Sequence, residues 1–176
     1  MLPAEYLYAL RTICQKLKES GIDWVLTGSA SFALQGIPVE PHDIDIMTSE
    51  MGAYEIERMF LRCVTAMVAF SEAERIRSHL GRLTIGAVAV EIMGAVQTRL
   101  EDGTWEPPVD VTGYRRFVEV EGMTVPVLSL EREYQAYLRL GRTETAEILR
   151  SHIEAVYKTT GAVYQEGLTA NTDSGR

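Results

Sequence analysis

Two aspartates, Asp43 and Asp45, stand one residue apart in the stretch HDIDIMT, which alternates polar and apolar residues as a half-buried β-strand does. Alternate side chains of a strand share a face, so we expect both carboxylates on one side of the sheet and Ile44 and Ile46 in the core. At a rise of about 3.3 Å per residue, the two aspartate Cα atoms would lie about 6–7 Å apart. Carboxylates at this separation can share one magnesium ion or bracket two, an arrangement that promotes phosphoryl transfer. The alternative is that the aspartates stand at an exposed strand end and face water.

Upstream of the aspartates, Gly28 and Ser29 lie where the predicted strand DWVLT ends and the predicted short helix SASFALQ begins. A helix start presents unpaired N–H groups and a partial positive charge, which together suit a phosphate group. Glycine allows close approach of the backbone, and the serine hydroxyl can donate to a phosphate oxygen. The alternative is a plain helix cap, in which Thr27 or Ser29 serves its own helix.

A third acid is needed because two carboxylates leave a two-metal site short of negative charge. Glu91, in the predicted strand GAVAVEIMG, is the strongest downstream candidate. Strand alternation sends Val88 and Val90 to one face and Glu91, with small alanines beside it, to the other. As a ligand, Glu91 could hold an ion and orient or deprotonate an attacking hydroxyl. The alternative is a surface glutamate paired with an arginine such as Arg82 or Arg99.

Two arginines near the end of the chain and one tryptophan could also contact a nucleotide. Arg139 and Arg142 flank Gly141 between two predicted helices, and guanidinium groups suit phosphate oxygens. Trp105 lies in the Pro-rich stretch DGTWEPPVD, where it could stack on a base or a sugar. Solvated helix-end charges and loop packing are the simpler interpretations of these residues.

The elements that must position these side chains alternate between strand and helix early in the chain and are helical at its end. Predicted strands meet at Gly86 and at the turn of Glu121 and Gly122, and two helices follow Ser129. This order predicts the α/β (α+β) class, with a mixed β-sheet flanked by helices. We expect a single domain over residues 1–166, with a core at about 20–128 and a helical part at about 129–158. The small polar residues of 167–176 predict a disordered tail.

The bulk properties exclude several classes of function. The chain has 176 residues, 46% of them hydrophobic, and a net charge of −8. An acidic protein of this kind is not expected to bind nucleic acid without regard to sequence, because it lacks the basic face that displaces counterions. Neither a signal-peptide pattern nor a long apolar run is present, so no membrane association is expected. The two cysteines, Cys14 and Cys63, have apolar neighbours, which favours reduced thiols and a cytoplasmic location.

Taken in order, the stretches GSASFALQG, HDIDIMT and VAVEIMG resemble the nucleotidyltransferase superfamily with the DNA polymerase β-like palm. The later stretch VPVLSLEREYQAYLRLGRTETAEILRSHI resembles the C-terminal helices of small bacterial members, which include antibiotic-modifying enzymes and abortive-infection toxin-type proteins. The resemblance implies a palm-like core in which Gly28 and Ser29 bind the nucleotide. It also implies that Asp43, Asp45 and Glu91 are the catalytic residues and hold two Mg²⁺ ions, with Mn²⁺ as an alternative.

The activity implied by the resemblance is Mg-dependent transfer of a nucleoside monophosphate from an NTP such as ATP to a hydroxyl of an acceptor, with release of pyrophosphate. The family usually has Asp where this chain has Glu91, and often a Lys in the helix where Tyr134, Tyr137 and Arg139 stand. These departures leave a second hypothesis open, a catalytically silent module that binds a nucleotide or a protein. A third is a glycosyltransferase that holds a sugar nucleotide through manganese. The sequence identifies neither the acceptor nor the oligomeric state.

Overall fold

The computed structural model describes residues 2–160, and within this range the chain forms a seven-stranded sheet and five α-helices. The predicted domain end at residue 166 and the predicted tail at 167–176 lie outside the described residues, so the domain limits stay a prediction. The helices are α1 (Ala4–Leu17), α2 (Gly28–Leu34), α3 (Glu50–Met59), α4 (Leu130–Arg139) and α5 (Thr143–Thr160). The strands are β1 (Trp24–Thr27), β2 (Ile44–Thr48), β3 (Val64–Glu72), β4 (Ile76–Ile85), β5 (Val88–Thr98), β6 (Arg115–Val120) and β7 (Met123–Leu128).

The sheet has the strand order β3-β4-β5-β2-β1-β7-β6 and is mixed. Strand β2 runs parallel to β5, and β1 runs parallel to β7, whereas the other neighbours are antiparallel. The predicted fold class, α/β (α+β) with a mixed sheet and flanking helices, is therefore confirmed. Both predicted hairpins form, β4–β5 through Gly86 and Ala87, and β6–β7 through Glu121 and Gly122. Glu121 and Gly122 have positive φ angles of 48° and 71°, as tight hairpin turns require.

The boundaries of several elements differ from the sequence prediction. Strand β2 begins at Ile44, so Asp43 is the last residue before the strand rather than part of it. Helix α3 ends at Met59 and is followed by a short 3-10 helix over Leu61–Cys63. The apolar run beginning at Val64 is the edge strand β3.

The main hydrophobic core lies between one face of the sheet and the helices α1 and α3. Leu10 and Ile13 of α1 and Ile56 of α3 pack with Ile44 and Ile46 of β2, and all five are fully buried. Since side chains alternate along a strand, Asp45 points to the opposite face. The packed side of β2 therefore directs this carboxylate away from the main core.

The opposite face of the sheet carries a smaller core and is partly covered by the C-terminal helices. Helices α4 and α5 pack together, and a separate cluster joins Phe32 of α2, Leu149 of α5, and Tyr134 and Tyr137 of α4. The short helix α2 is therefore held by later parts of the chain as well as by the sheet. Between residues 2 and 160, no helix is long and apolar enough to span a membrane.

Candidate active site

Asp45 and Glu91 are direct neighbours across the parallel strands β2 and β5. The flanking pairs in the same register, Ile44 with Val90 and Ile46 with Ile92, are fully buried in the main core. The two acids therefore point together to the opposite face, with Cα atoms about 4.8 Å apart as for any paired strands. The strand faces predicted for both residues agree with this placement.

The three predicted acids lie close enough to repel one another. Burial first, and then the neighbouring carboxylates of Asp43 and Glu91, raise the pKa of Asp45 to about 7, and the charge of Arg142 only partly offsets this. Burial and the Glu91 carboxylate also raise the pKa of Asp43 above its usual range. A cation placed among these groups would relieve the repulsion.

Glu91 also forms an ion pair with an arginine, which the sequence analysis gave as the alternative to metal binding. Its Oε1 accepts a hydrogen bond of 2.8 Å from Nε of Arg82, which is its cross-strand partner on β4. Within residues 2–160, no three Asp, Glu, His or Cys side chains converge into a ready metal site. The oxygen donors of Asp43, Asp45 and Glu91 suit Mg²⁺ in type. The Glu91 carboxylate would have to turn away from Arg82 to join the other two.

Gly28 allows the Asp45 carboxylate to rest against the backbone at the start of α2. Its φ angle is +70°, in the left-handed region that favours glycine. A Cβ atom at this position would overlap with Oδ2 of Asp45. Any side chain at residue 28 would therefore displace the carboxylate, which makes this glycine part of the site's geometry.

Neither Ser29 nor Thr27 caps helix α2 with its side chain, so the helix-cap alternative is wrong for both. The Ser29 hydroxyl accepts a hydrogen bond of 3.0 Å from the backbone N–H of His42, just before the aspartates. Thr27 stands at the N-cap position, but no side-chain cap forms there in the described structure. Its hydroxyl instead donates to Glu133 of α4 at 2.6 Å. Ser29 thus links the first turn of α2 to the segment that carries Asp43.

Glu133 is the residue of this region that the sequence interpretation missed. It is only 1% exposed and lies under Thr27 and Gly28, and burial raises its pKa to about 8. The spacing of the sequence could have identified it, because Glu133 stands three residues after Leu130 and four before Tyr137, on the inward face of α4. An acid in such a stripe is a departure from the pattern of a buried helix.

Arg142 and Tyr137 bring the end of α4 toward the carboxylates. Burial, and then the Glu133 carboxylate, raise the pKa of the Tyr137 hydroxyl; the Arg142 charge lowers it and the Asp45 charge raises it further. The Arg142 guanidinium lies 5.6 Å from the centre of the Tyr137 ring. Arg139, by contrast, is paired with Glu106 at 2.9 Å. Arg142 is therefore the better placed of the two arginines for binding phosphate.

Trp105 has protein partners on two sides. The guanidinium groups of Arg77 and Arg99 lie 4.6 and 5.6 Å from the centre of the indole ring. Loop packing, the simpler interpretation from the sequence, describes this residue.

Comparison with known proteins shows the family of the chain. A family model described as aminoglycoside-2''-adenylyltransferase matches residues 9–155. The crystal structure of a candidate nucleotidyltransferase, TM1012 from Thermotoga maritima, is 59% identical, with a TM-score of 0.78. That match covers 88% of this chain and 96% of TM1012. A search of curated protein sequences gave no match.

Two more distant structures share the fold alone. The lincosamide antibiotic adenylyltransferase LnuA, solved with lincomycin, is 12% identical with a TM-score of 0.50, over 76% of this chain and 85% of LnuA. ANT(2'')-Ia, solved with adenylyl-2''-tobramycin, is 16% identical with a TM-score of 0.50, over 86% of this chain and 98% of that protein.

The fold and these similarities define a nucleotidyltransferase-type protein. Because the family model matches most of the chain, the protein belongs to the aminoglycoside-2''-adenylyltransferase family. The resemblance inferred from the sequence is therefore confirmed for family and fold. The roles of Gly28, Ser29, Asp43, Asp45 and Glu91 stay predictions.

Proposed function

We propose that the protein transfers an adenylyl group from ATP to a hydroxyl of a small acceptor, in a reaction that depends on Mg²⁺ or Mn²⁺ and releases pyrophosphate. The observation that carries the proposal is the parallel register of Asp45 with Glu91, on the face away from the main core. With Asp43 two residues earlier, this gives three hard oxygen donors on neighbouring segments, and the Asp45 carboxylate lies against Gly28 at the start of α2. The family to which the chain belongs supports adenylyl transfer.

The proposed roles follow from the position of each side chain. Asp43 and Asp45 hold the divalent ions, with Glu91 as the third ligand. When bound, such ions neutralise phosphate charge and polarise the acceptor hydroxyl. Gly28 and Ser29 face the phosphates of the nucleotide, and Arg142 binds the pyrophosphate that leaves.

The proposed reaction exchanges one phosphorus–oxygen bond for another. The acceptor hydroxyl oxygen attacks the α-phosphorus of ATP, and the bond between this phosphorus and the oxygen bridging to the β-phosphorus breaks. Pyrophosphate leaves with the electron pair of that bond. The hydroxyl proton passes to Glu91, which must first release Arg82, or to solvent.

We further propose that the acceptor is an antibiotic-like compound with free hydroxyl groups. LnuA was solved with lincomycin and ANT(2'')-Ia with adenylyl-2''-tobramycin, so both an aminoglycoside and a lincosamide belong in a first panel of acceptors. We also propose a cytoplasmic location and a single domain over 1–166, as predicted. Cys14 and Cys63 are both unpaired, consistent with a reducing compartment.

The second candidate function is a catalytically silent module that binds a nucleotide or a protein. The Arg82–Glu91 ion pair favours this function, because the third carboxylate is paired with an arginine and not with a cation. A silent protein of this kind would still bind a nucleotide if Asp43 and Asp45 hold a cation on their own.

Calorimetric titration with Mg²⁺ and α,β-methylene-ATP, an analogue that cannot transfer its adenylyl group, tests the site. We expect binding by the wild type, loss of binding in Asp43→Ala and Asp45→Ala, and wild-type binding in the exposed-loop control Asp102→Asn. Equal affinity in wild type and both alanine variants would refute the assignment. Incubation of α-labelled ATP with the acceptor panel then separates the two candidates, since a silent module transfers no label.

A further inference from the structure

Helix α4 buries an acid against the proposed nucleotide site, where an apolar residue would be expected. Glu133 is 1% exposed, while Leu138 on the same helix is 41% exposed. Transfer of a carboxylate from water to the protein interior costs free energy unless the charge is paired or strongly hydrogen-bonded. Among residues 2–160, no Lys, Arg or His forms an ion pair with Glu133. The neighbouring Arg132 is instead paired with Glu106.

The Glu133 carboxylate accepts two hydrogen bonds, both from one turn of the backbone. A single oxygen, Oε1, accepts hydrogen bonds from the Thr27 hydroxyl at 2.6 Å and from the Gly28 N–H at 3.2 Å. These two residues form the junction between β1 and α2. The carboxylate therefore holds this junction through the side chain of Thr27 and the backbone of Gly28 at the same time.

The same junction supports Asp45 from its other side. Thr27 is the cross-strand partner of Asp45, and the Asp45 carboxylate rests against the α-carbon of Gly28. Gly28 thus lies between two acids, with its N–H bonded to Glu133 and its open α-carbon facing Asp45. A shift of this turn would move the surface on which the Asp45 carboxylate rests.

We propose that Glu133 is a positioning residue of the nucleotide site: by holding Thr27 and Gly28, it orients the Asp45 carboxylate toward a divalent cation and its bound nucleotide. The inference rests on the proposed function, since it assumes that Asp45 is a ligand. It adds to the site a residue of α4 that is 106 residues from Thr27 and 105 residues from Gly28 along the chain. The competing explanation is that Glu133 merely anchors α4 to the sheet.

A comparison of four variants separates these explanations. Glu133→Ala removes the acceptor, whereas Glu133→Gln keeps an amide oxygen that accepts both hydrogen bonds. Thr27→Val removes one donor with little change of shape. Thr48→Val is the matched control, because Thr48 is also a buried strand threonine, 1% exposed, whose hydroxyl donates at 2.6 Å to the backbone of Asp23 at the other end of β1.

The readouts are the melting temperature and the affinity for Mn²⁺ with α,β-methylene-ATP, measured by the electron paramagnetic resonance of free Mn²⁺ and by calorimetry. We expect Glu133→Ala, which removes both hydrogen bonds, to weaken analogue binding about tenfold, and Thr27→Val, which removes one, to weaken it about threefold to fivefold. Glu133→Gln should restore the affinity to within about twofold of wild type, since its amide oxygen accepts the same two bonds. Thr48→Val should lower the melting temperature and leave the affinity unchanged.

Affinities of Thr27→Val and Glu133→Ala that match the Thr48→Val control would overturn the positioning role and leave only an anchor. If Glu133→Ala does not fold, the Thr27→Val and Thr48→Val pair decides the question by itself. Asp45→Asn shows whether a negative result concerns only the role of Glu133 or the proposed nucleotide site as a whole. Binding by the wild type but not by Asp45→Asn keeps the proposed site even if the Glu133 series is negative. No binding by the wild type would overturn the proposed function and, with it, this inference.

Discussion

Arg82 and Glu91 face each other across β4 and β5 and form an ion pair of 2.8 Å on the sheet face that carries Asp45. The pair satisfies a carboxylate that would otherwise add to the repulsion among three acids. It also competes with any cation for the same oxygen. The strength of this competition decides how readily Glu91 can serve as a third ligand.

Replacing Arg82 should therefore tighten the binding of a divalent cation. The Arg82 side chain is 55% exposed, so its ion pair contributes at most about 1 kcal/mol, which corresponds to about a fivefold change in affinity. We expect Arg82→Gln to bind Mn²⁺ with α,β-methylene-ATP about fivefold more tightly, and Glu91→Gln to bind it more weakly than wild type. Free Mn²⁺ followed by electron paramagnetic resonance measures both. Unchanged binding in both variants would remove Glu91 from the ligand set.

The acids should cost stability when no cation is present, and the cost should depend on pH. The pKa of Asp45 is raised from 3.8 to about 7 by burial and by its acidic neighbours. Between these two values the folded state keeps the proton and the unfolded state loses it, so stability falls as the pH rises from about 4 to about 7. Above about pH 7 the penalty is complete.

Asp45→Asn should consequently stabilise the fold at about pH 8 by about 1–3 kcal/mol, and it should have little effect near pH 4. Urea denaturation in the presence of a chelator measures the free energy of unfolding of both proteins. Addition of Mg²⁺ and the ATP analogue should then stabilise the wild type and not the variant. A variant less stable than wild type at about pH 8 would show that the acids do not strain the fold.

Alanine at residue 28 should impair both stability and nucleotide binding. Gly28 and Gly21 have nearly the same φ angle, +70° and +71°, but only Gly28 has Asp45 where a Cβ would lie. Gly21→Ala therefore isolates the cost of the left-handed backbone, about 1–2 kcal/mol. Gly28→Ala should lose a further 1–3 kcal/mol, roughly, from the overlap with the carboxylate.

Denaturation and analogue titration of these two glycine variants give the measurement. Only Gly28→Ala should also weaken analogue binding, because only it moves Asp45. Equal losses of stability with unchanged binding in both would mean that Asp45 can move aside without consequence.

Arg142 should contribute to nucleotide affinity. Its charge acts on Asp45, and no ion pair to Arg142 is found among residues 2–160, so its guanidinium is available to donate hydrogen bonds to a phosphate. We expect Arg142→Ala to weaken binding of the ATP analogue about tenfold. The control is Arg150→Ala, since Arg150 pairs with Glu147 and Glu154 on the surface of α5. Equal affinities in the two variants would show that groups other than Arg142 bind the phosphates.

The local pattern of residues determined which side chains share a face of the sheet. The alternation in HDIDIMT and GAVAVEIMG was sufficient to place Ile44 and Val90 in the core and to direct Asp45 and Glu91 away from it. This succeeded because the pleat of a strand has a period of two wherever the strand lies. The predicted hairpins succeeded for a similar reason, since their turn residues carry the required backbone angles.

Which acids and bases meet at the site was decided by tertiary structure alone. The sequence left Glu91 with two partners, a cation or an arginine, and the antiparallel register of β4 with β5 supplied Arg82. It gave a helix cap by Ser29 or Thr27 as the alternative to phosphate binding, but packing of α4 gave Thr27 a partner 106 residues away. Periodicity determines the direction of a side chain relative to its own element, whereas the group that it contacts depends on how distant elements pack together.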